Sequence, residues 1–253
     1  MKKIILVGGT GNLSAEIFKH LSKLNTKISV IDLPSSKLKK YNKLKNVSTF
    51  EADISNEKEF INAFNKAYKY LKKIDVLINC ASLTSEFFKN SDQYFKQFHE
   101  YTLETWNKSI SINLSGTFLS CREAIKFMLK QKEGKIINFS SLYGVVSPNF
   151  NLYKHENFNT PASYTATKAG IIGMTKWLAA NYGKEGIAVN CISPGGILNK
   201  QKKEFINKYS SMTPLGRMGY KNNLNNLIEF IVFEKNTYIN GHNFVVDGGF
   251  SIW

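Results

Sequence analysis

Lys3-Ile4-Ile5-Leu6-Val7-Gly8-Gly9-Thr10-Gly11-Asn12-Leu13-Ser14 is the stretch on which the fold turns. Its first part is a short β-branched, apolar run of strand length. Glycines then interrupt it, and a helical pattern comes next through Ile17, Phe18, Leu21 and Leu24. Strand, glycine loop and helix, in that order, aim the backbone N–H groups of the helix start at one point. That arrangement suits a phosphate. An ordinary βα turn shares the same glycines, so the residues downstream of the helix have to decide between the two.

The next apolar run, 27–31, ends at Asp32, about 20 residues beyond the loop. An acid at the end of a second strand can accept hydrogen bonds from a ribose 2′-hydroxyl and would repel a 2′-phosphate, which favours NAD over NADP. Lys37, Lys39 and Lys40 pull the other way, and Asp32 also reads as a turn cap before Pro34. Residues 47–52 form a third strand closed by Asp53, then a helix runs through Phe60, Ile61, Phe64, Ala67 and Leu71. Strands are expected at 75–79, 135–139, 187–192 and 244–246. Helices are expected at 103–130 (one long helix carrying Asn113), 162–182, 202–209 and 224–233. Strands alternating with helices predict an α/β Rossmann fold, a doubly wound seven-stranded parallel sheet with helices on both faces. No internal repeat or linker divides the chain, so 1–253 reads as one domain.

Three segments past predicted strand ends read as substrate loops: 84–101, 148–161 and 196–218. The first is polar and aromatic, with Phe87, Phe88, Tyr94, Phe95, Phe98 and His99; it reads equally as a ligand loop or a surface-packed helix. The second is Asn-rich and carries Tyr153, Lys154 and His155. A long loop inside a compact domain points to function. It lies between Ser141, at the end of the fifth strand, and Tyr164. Tyr164 and Lys168 are four residues apart on a predicted helix and so share a face. A nearby ammonium favours the phenolate, so Lys168 is expected to lower the Tyr164 pKa and ready it for proton transfer.

Composition narrows the classes. The 253 residues are 43% hydrophobic with net charge +15. The charge is almost all lysine, with Arg122 and Arg217 the arginines, and it is spread along the chain. Guanidinium suits nucleic-acid phosphates and bases better than ammonium does, so no nucleic-acid partner is expected, while anionic small molecules fit. Cys80, Cys121 and Cys191 sit in apolar contexts and read as reduced core thiols. No metal site is expected. No apolar run is long enough to cross a bilayer, and 3–7 is too short for a signal peptide, so the expectation is a cytoplasmic protein without a membrane partner.

Taken in order, Gly8-x-x-Gly11, Asp53, Leu77-Ile78-Asn79-x-Ala81, Asn113, Ser141, Tyr164-x-x-x-Lys168, Ser193-Pro194-Gly195, Pro214-Leu215-Gly216-Arg217-Met218 and Val246-Asp247-Gly248-Gly249 resemble the short-chain dehydrogenase/reductase family over nearly the whole chain. The resemblance implies an NAD(P)-dependent oxidoreductase. Tyr164 would be the general acid or base. Lys168 would tune Tyr164 and hold the nicotinamide ribose. Ser141 would hydrogen-bond the substrate oxygen, and Asn113 would support a relay water. Cofactor contacts are implied at Gly8, Thr10, Gly11, Asn12, Leu13, Asp32, Asp53, Ile54, Asn79, Ala81, Tyr164, Lys168, Pro194, Gly195 and Ile197, with NAD preferred to NADP. The chain departs from the family's common T-G-x-x-x-G-x-G pattern at Val7, Asn12 and Ser14. Ser14 adds a side chain where helix and strand usually pack closely, which bears on cofactor affinity. Asn79-Cys80-Ala81-Ser82 lacks the usual final glycine, and the segment from Ser141 to Tyr164 is longer than in most relatives.

The segments 139–146, 192–198 and 238–241 look like oxidoreductases of flagellin-modification and legionaminic-acid-type surface-sugar pathways. The implied substrate is a sugar or nucleotide-sugar. Two alternatives stand beside it: a 3-oxoacyl-[acyl-carrier-protein] reductase, and a cofactor-binding sensor or scaffold without catalysis. The family also implies a homo-oligomer, dimer or tetramer, with contacts from 103–130 and from 246–253, where Phe250, Ile252 and Trp253 are expected to be exposed.

Overall fold

The computed structural model describes residues 1–84, 97–154, 160–235 and 238–253. Phe87, Phe88, Tyr94, Phe95 and His155 therefore lie outside the described residues. The strands are β1 (Lys2–Val7), β2 (Thr26–Asp32), β3 (Val47–Glu51), β4 (Val76–Asn79), β5 (Gly134–Phe139), β6 (Ile187–Pro194) and β7 (Asn243–Val246). They form one sheet, parallel throughout, in the order β3-β2-β1-β4-β5-β6-β7. β4 and β6 are buried along their whole length, as strands covered on both faces must be.

Side chains alternate across the sheet with period two, and each set meets its own helices. On one face Ile5, Val7 and Leu77 join Phe60 and Phe64 of α3 (Glu57–Leu71). The same cluster takes Ala124 and Met128 of α5 (Gly116–Gln131) and Leu178 of α6 (Ala162–Tyr182). On the other face Ile4, Leu6 and Ile78 meet Ile17, Phe18 and Leu21 of α1 (Asn12–Leu21) and Ile228 of α8 (Asn225–Phe233). Burying a side chain of this size stabilises by about 1.5–3 kcal/mol, so the two layers are the main source of stability.

The helix expected over 103–130 is present but not uniform. α4 (Leu103–Ser109) passes into a π-helical turn, Ile110–Ser115, before α5 begins. The Thr117 hydroxyl, at the start of α5, donates back to the Asn113 carbonyl of this turn at 2.7 Å. Such wide turns cluster at functional sites, and this one carries Asn113. α2 (Ser36–Tyr41), capped by the Ser35 hydroxyl, was not anticipated; neither was the 3-10 turn Phe150–Tyr153 inside the Asn-rich segment.

A smaller apolar cluster stands beside the sheet. Leu142, Leu152, Phe205, Tyr209, Met218 and Phe250 pack together, with Phe205 and Tyr209 on α7 (Lys203–Ser211). The expectation that Phe250 is exposed is corrected here. It is 7% exposed because its ring stacks on Tyr209, 4.8 Å between centroids. Ile252 and Trp253 are exposed. Among the described residues no helix is long and apolar enough to cross a membrane.

Candidate active site

β1 lies between β2 and β4, so the chain leaves the sheet in opposite directions on its two sides and a crevice opens at the strand ends. A cavity of about 700 Å³ fills it. Gly8, Thr10, Gly11, Asp32, Asp53, Ile54 and Ala81 line it, seven of the residues assigned to cofactor binding. Gly8 has φ +76°, and a Cβ there would lie 2.4 Å from the Ala81 backbone, so the loops after β1 and β4 close only around glycine. Gly11 caps α1 without a side-chain hydrogen bond, which leaves the first-turn N–H groups of Asn12 and Leu13 open to an anion. These features fit the pyrophosphate of a dinucleotide. Ser14 does not enter the cavity: its buried hydroxyl donates to the Gly8 carbonyl at 2.5 Å and braces the loop from behind.

The Asp32 carboxylate accepts from the Thr10 N–H at 2.7 Å and the Leu33 N–H at 2.8 Å. Lys37 Nζ donates to the Thr10 carbonyl at 3.2 Å, so an acid and a base meet at the same corner. Asp53 accepts from the N–H and hydroxyl of Ser55 at 2.8 and 2.7 Å. Asn79 closes β4. Its side chain is buried, donates to Asn138 Oδ1 at 2.9 Å and accepts from the Ser120 hydroxyl at 2.6 Å. Both ends of its carboxamide are thus used in joining β4 to β5 and α5.

The residues expected to be catalytic, Ser141, Tyr164 and Lys168, lie where β5 and α6 meet. The Ser140 hydroxyl donates to the Lys168 carbonyl at 2.8 Å and fastens the end of β5 to α6. Ser141 Oγ accepts from the Tyr143 N–H at 3.2 Å and hydrogen-bonds Tyr164. Lys168 Nζ lies 5.5 Å from the centre of the Tyr164 ring and donates to the Phe139 carbonyl at 3.0 Å. Asn113 is fully buried. Its Oδ1 accepts from the Leu83 N–H at 2.6 Å, and its Nδ2 donates to the Leu83 carbonyl and Thr167 Oγ1, both at 3.3 Å. Its carboxamide thus pins the segment after β4 and α6 to the long helix. Pro194 ends β6, and the turn after it, holding Gly195 and Ile197, is gripped on both sides. The Gly195 N–H donates to the Val246 carbonyl at 2.9 Å, and the Gly196 N–H donates to the Tyr209 hydroxyl at 2.6 Å.

Charge at this end differs from the sequence expectation. Burial raises the Tyr164 pKa above the ordinary tyrosine value, and the Ser141 hydrogen bond opposes that rise. Burial also lowers Lys168 from 10.5 to about 8. The sequence spacing predicts that Lys168 draws Tyr164 down. In the structure the loss of solvent is the larger influence on both groups. Cys80, read from the sequence as a reduced core thiol, lines the cavity, and burial raises its thiol pKa. Tyr143 and Tyr209 went unassigned. Tyr143 could have been noticed by its place two residues after Ser141.

Residues 11–251 match a family model described as Enoyl-(Acyl carrier protein) reductase. The 3-oxoacyl-[acyl-carrier-protein] reductase FabG of Rickettsia felis is 33% identical over 257 residues, covering 98% of this chain and 96% of the relative. The chain belongs to the short-chain dehydrogenase/reductase family. Among solved short-chain dehydrogenases, one from Leptospira borgpetersenii with bound NAD+ superposes with a TM-score of 0.86 at 34% identity, covering 99% of this chain and 93% of that one. The post-translational flagellin modification protein A of Campylobacter coli is 28% identical over 251 residues, 99% of this chain and 92% of the relative. As a short-chain dehydrogenase/reductase the protein is an oxidoreductase, and the family as a whole uses NAD(P).

Proposed function

We propose that the chain transfers a hydride between NAD(H) and a carbonyl or hydroxyl carbon of a sugar or nucleotide-sugar. The observation that carries the chemistry is the meeting of Ser141, Tyr164 and Lys168 at the end of β5, beside a cleft whose loop glycines and open helix start suit a dinucleotide. The nicotinamide, when bound, supplies or accepts the hydride. The protein has to orient the carbonyl and handle one proton. With its pKa raised, Tyr164 holds its proton at neutral pH and can give it to an oxygen that is gaining negative charge. The Ser141 hydroxyl orients that oxygen, and the Lys168 ammonium stabilises the charge that Tyr164 is left with. Asp32 supports NAD over NADP, with Lys37 acting against it. The sugar reading draws on the similarity to the flagellin-modification relative.

A second reading, reduction of a 3-oxoacyl group on a carrier protein, draws on the similarity to the FabG relatives. One experiment separates the readings. NADH should raise the melting temperature more than NADPH, since a ligand that binds the folded state stabilises it. The loaded protein should then turn over nucleotide-sugars and not acetoacetyl-CoA. The reverse on both counts establishes the carrier-protein reductase. Tyr164→Phe should lower turnover at least about a hundredfold while keeping the NADH-induced shift. Binding without turnover in the unmutated protein, on both substrate classes, would favour a sensor or scaffold.

A further inference from the structure

The segment between Ser141 and Tyr164 does more than lengthen a loop. Its turn Phe150–Tyr153 is anchored by Leu152, which is 2% exposed, and by the Tyr153 ring, 5.7 Å from the ring of Phe205 on α7. That anchoring brings the Tyr153 hydroxyl to 2.8 Å from the Tyr143 hydroxyl. Thr160 Oγ1 donates to Tyr153 at 3.1 Å. Tyr143 in turn is fixed beside the reacting set. Its N–H bonds Ser141 Oγ at 3.2 Å, and its turn, Leu142–Gly144, lies so close to α6 that a Cβ on Gly144 would be 2.7 Å from the Lys168 backbone.

A phenol has one hydrogen to donate and can also accept. The bond between Tyr143 and Tyr153 can run in either direction; in both, the Tyr143 oxygen keeps one capacity, its hydrogen where Tyr153 donates and a lone pair where Tyr143 does. We propose that Tyr143, oriented by Tyr153, determines specificity by hydrogen-bonding a free hydroxyl on the carbon next to the reacting carbonyl. The substrate class is then an α-hydroxy carbonyl compound, the chemistry that a sugar presents and a 3-oxoacyl thioester lacks. This rests on the assignment of Ser141, Tyr164 and Lys168 as the reacting set. Burial first, then the neighbouring phenols Tyr153, Tyr209 and Tyr164, raise the Tyr143 pKa far above the usual tyrosine value. Tyr143 therefore stays neutral at working pH and does not compete with Tyr164 as a base.

The test compares two ketones of nearly equal shape, 1-hydroxy-2-butanone and 3-pentanone, in which a hydroxyl replaces a methyl group. NADH oxidation gives kcat/KM for each. The protein should favour the hydroxyketone. Tyr143→Phe should lower that preference about tenfold, the worth of one hydrogen bond that would otherwise be made. Tyr153→Phe, which removes only the orienting hydroxyl, should lower it less, and it serves if Tyr143→Phe fails to fold. Turnover of both ketones with a preference that neither variant moves would overturn the role of Tyr143 and leave the oxidoreductase reading standing. Equal use of the two ketones by the unmutated protein would overturn the substrate class. Absence of any carbonyl-dependent NADH or NADPH oxidation would overturn the underlying reading and this inference with it.

Discussion

Lys168 is 3% exposed, and burial has moved its pKa from 10.5 to about 8. The folded state therefore holds this proton less tightly than the unfolded chain does. Below the folded pKa of about 8 both states are charged, and folding bears the full desolvation cost. Between about 8 and 10.5 that cost is lifted, so this group's contribution to stability rises with pH. The gap corresponds to roughly 3 kcal/mol at neutral pH. Lys168→Met gives up the hydrogen bond to Phe139, worth about 1 kcal/mol, so a net gain of roughly 2 kcal/mol is expected at pH 7. The gain should shrink toward pH 10. Urea unfolding at the two pH values checks this, and a variant less stable than the parent at pH 7 would refute it. The spacing of Tyr164 and Lys168 was legible from the sequence. The direction of the Tyr164 shift was not, because it depends on how much water the surrounding chain excludes, and spacing along one helix does not record that.

The elements were legible where their pattern is local. The strand, glycine loop and helix from Lys3 to Ser14 appear as expected, since β-branching and glycine act within a few residues. α2 escaped because a helix of 6 residues has too few turns to show a period. The π-helical turn escaped because hydrophobic spacing barely distinguishes it from an α-helical one. Yet that turn holds Asn113, whose carboxamide satisfies both backbone groups of Leu83 and reaches Thr167 on α6. Asn113→Leu leaves those groups buried and unpaired. A loss of about 2–3 kcal/mol is expected, together with lower turnover, since α6 also carries Tyr164 and Lys168. Denaturant unfolding and steady-state kinetics on one preparation check both, and a stable, fully active variant would remove Asn113 from any positioning role.

For the whole molecule, the alternating pattern predicted seven parallel strands, and all seven are present. The third apolar cluster was not foreseen, because it joins Leu142, Leu152, Tyr209 and Phe250 across more than a hundred positions, and periodicity within one element does not record contacts at that range. Phe118 on α5, Trp177 on α6, and Ile252 and Trp253 near the last strand are large apolar side chains left exposed. Exposed apolar surface of this kind marks contact sites. The protein is expected to sediment as a dimer or tetramer at micromolar concentration, and Phe118→Glu with Trp177→Glu should shift it toward smaller species. A monomer in the parent would contradict this.

Strand order has a kinetic consequence. β1 is made first but ends up in the middle of the sheet, and its partner β4 begins about 70 residues later in the chain, with Ile4 facing Val76. Until β4 docks, β1 can pair with β2 alone and presents its other edge, with Ile4, Ile5 and Leu6, bare to the solvent. Closing so long a loop is slow compared with forming the local helices. Refolding from denaturant should therefore pass through a half-sheet that sticks to its own kind, with yields that fall as protein concentration rises.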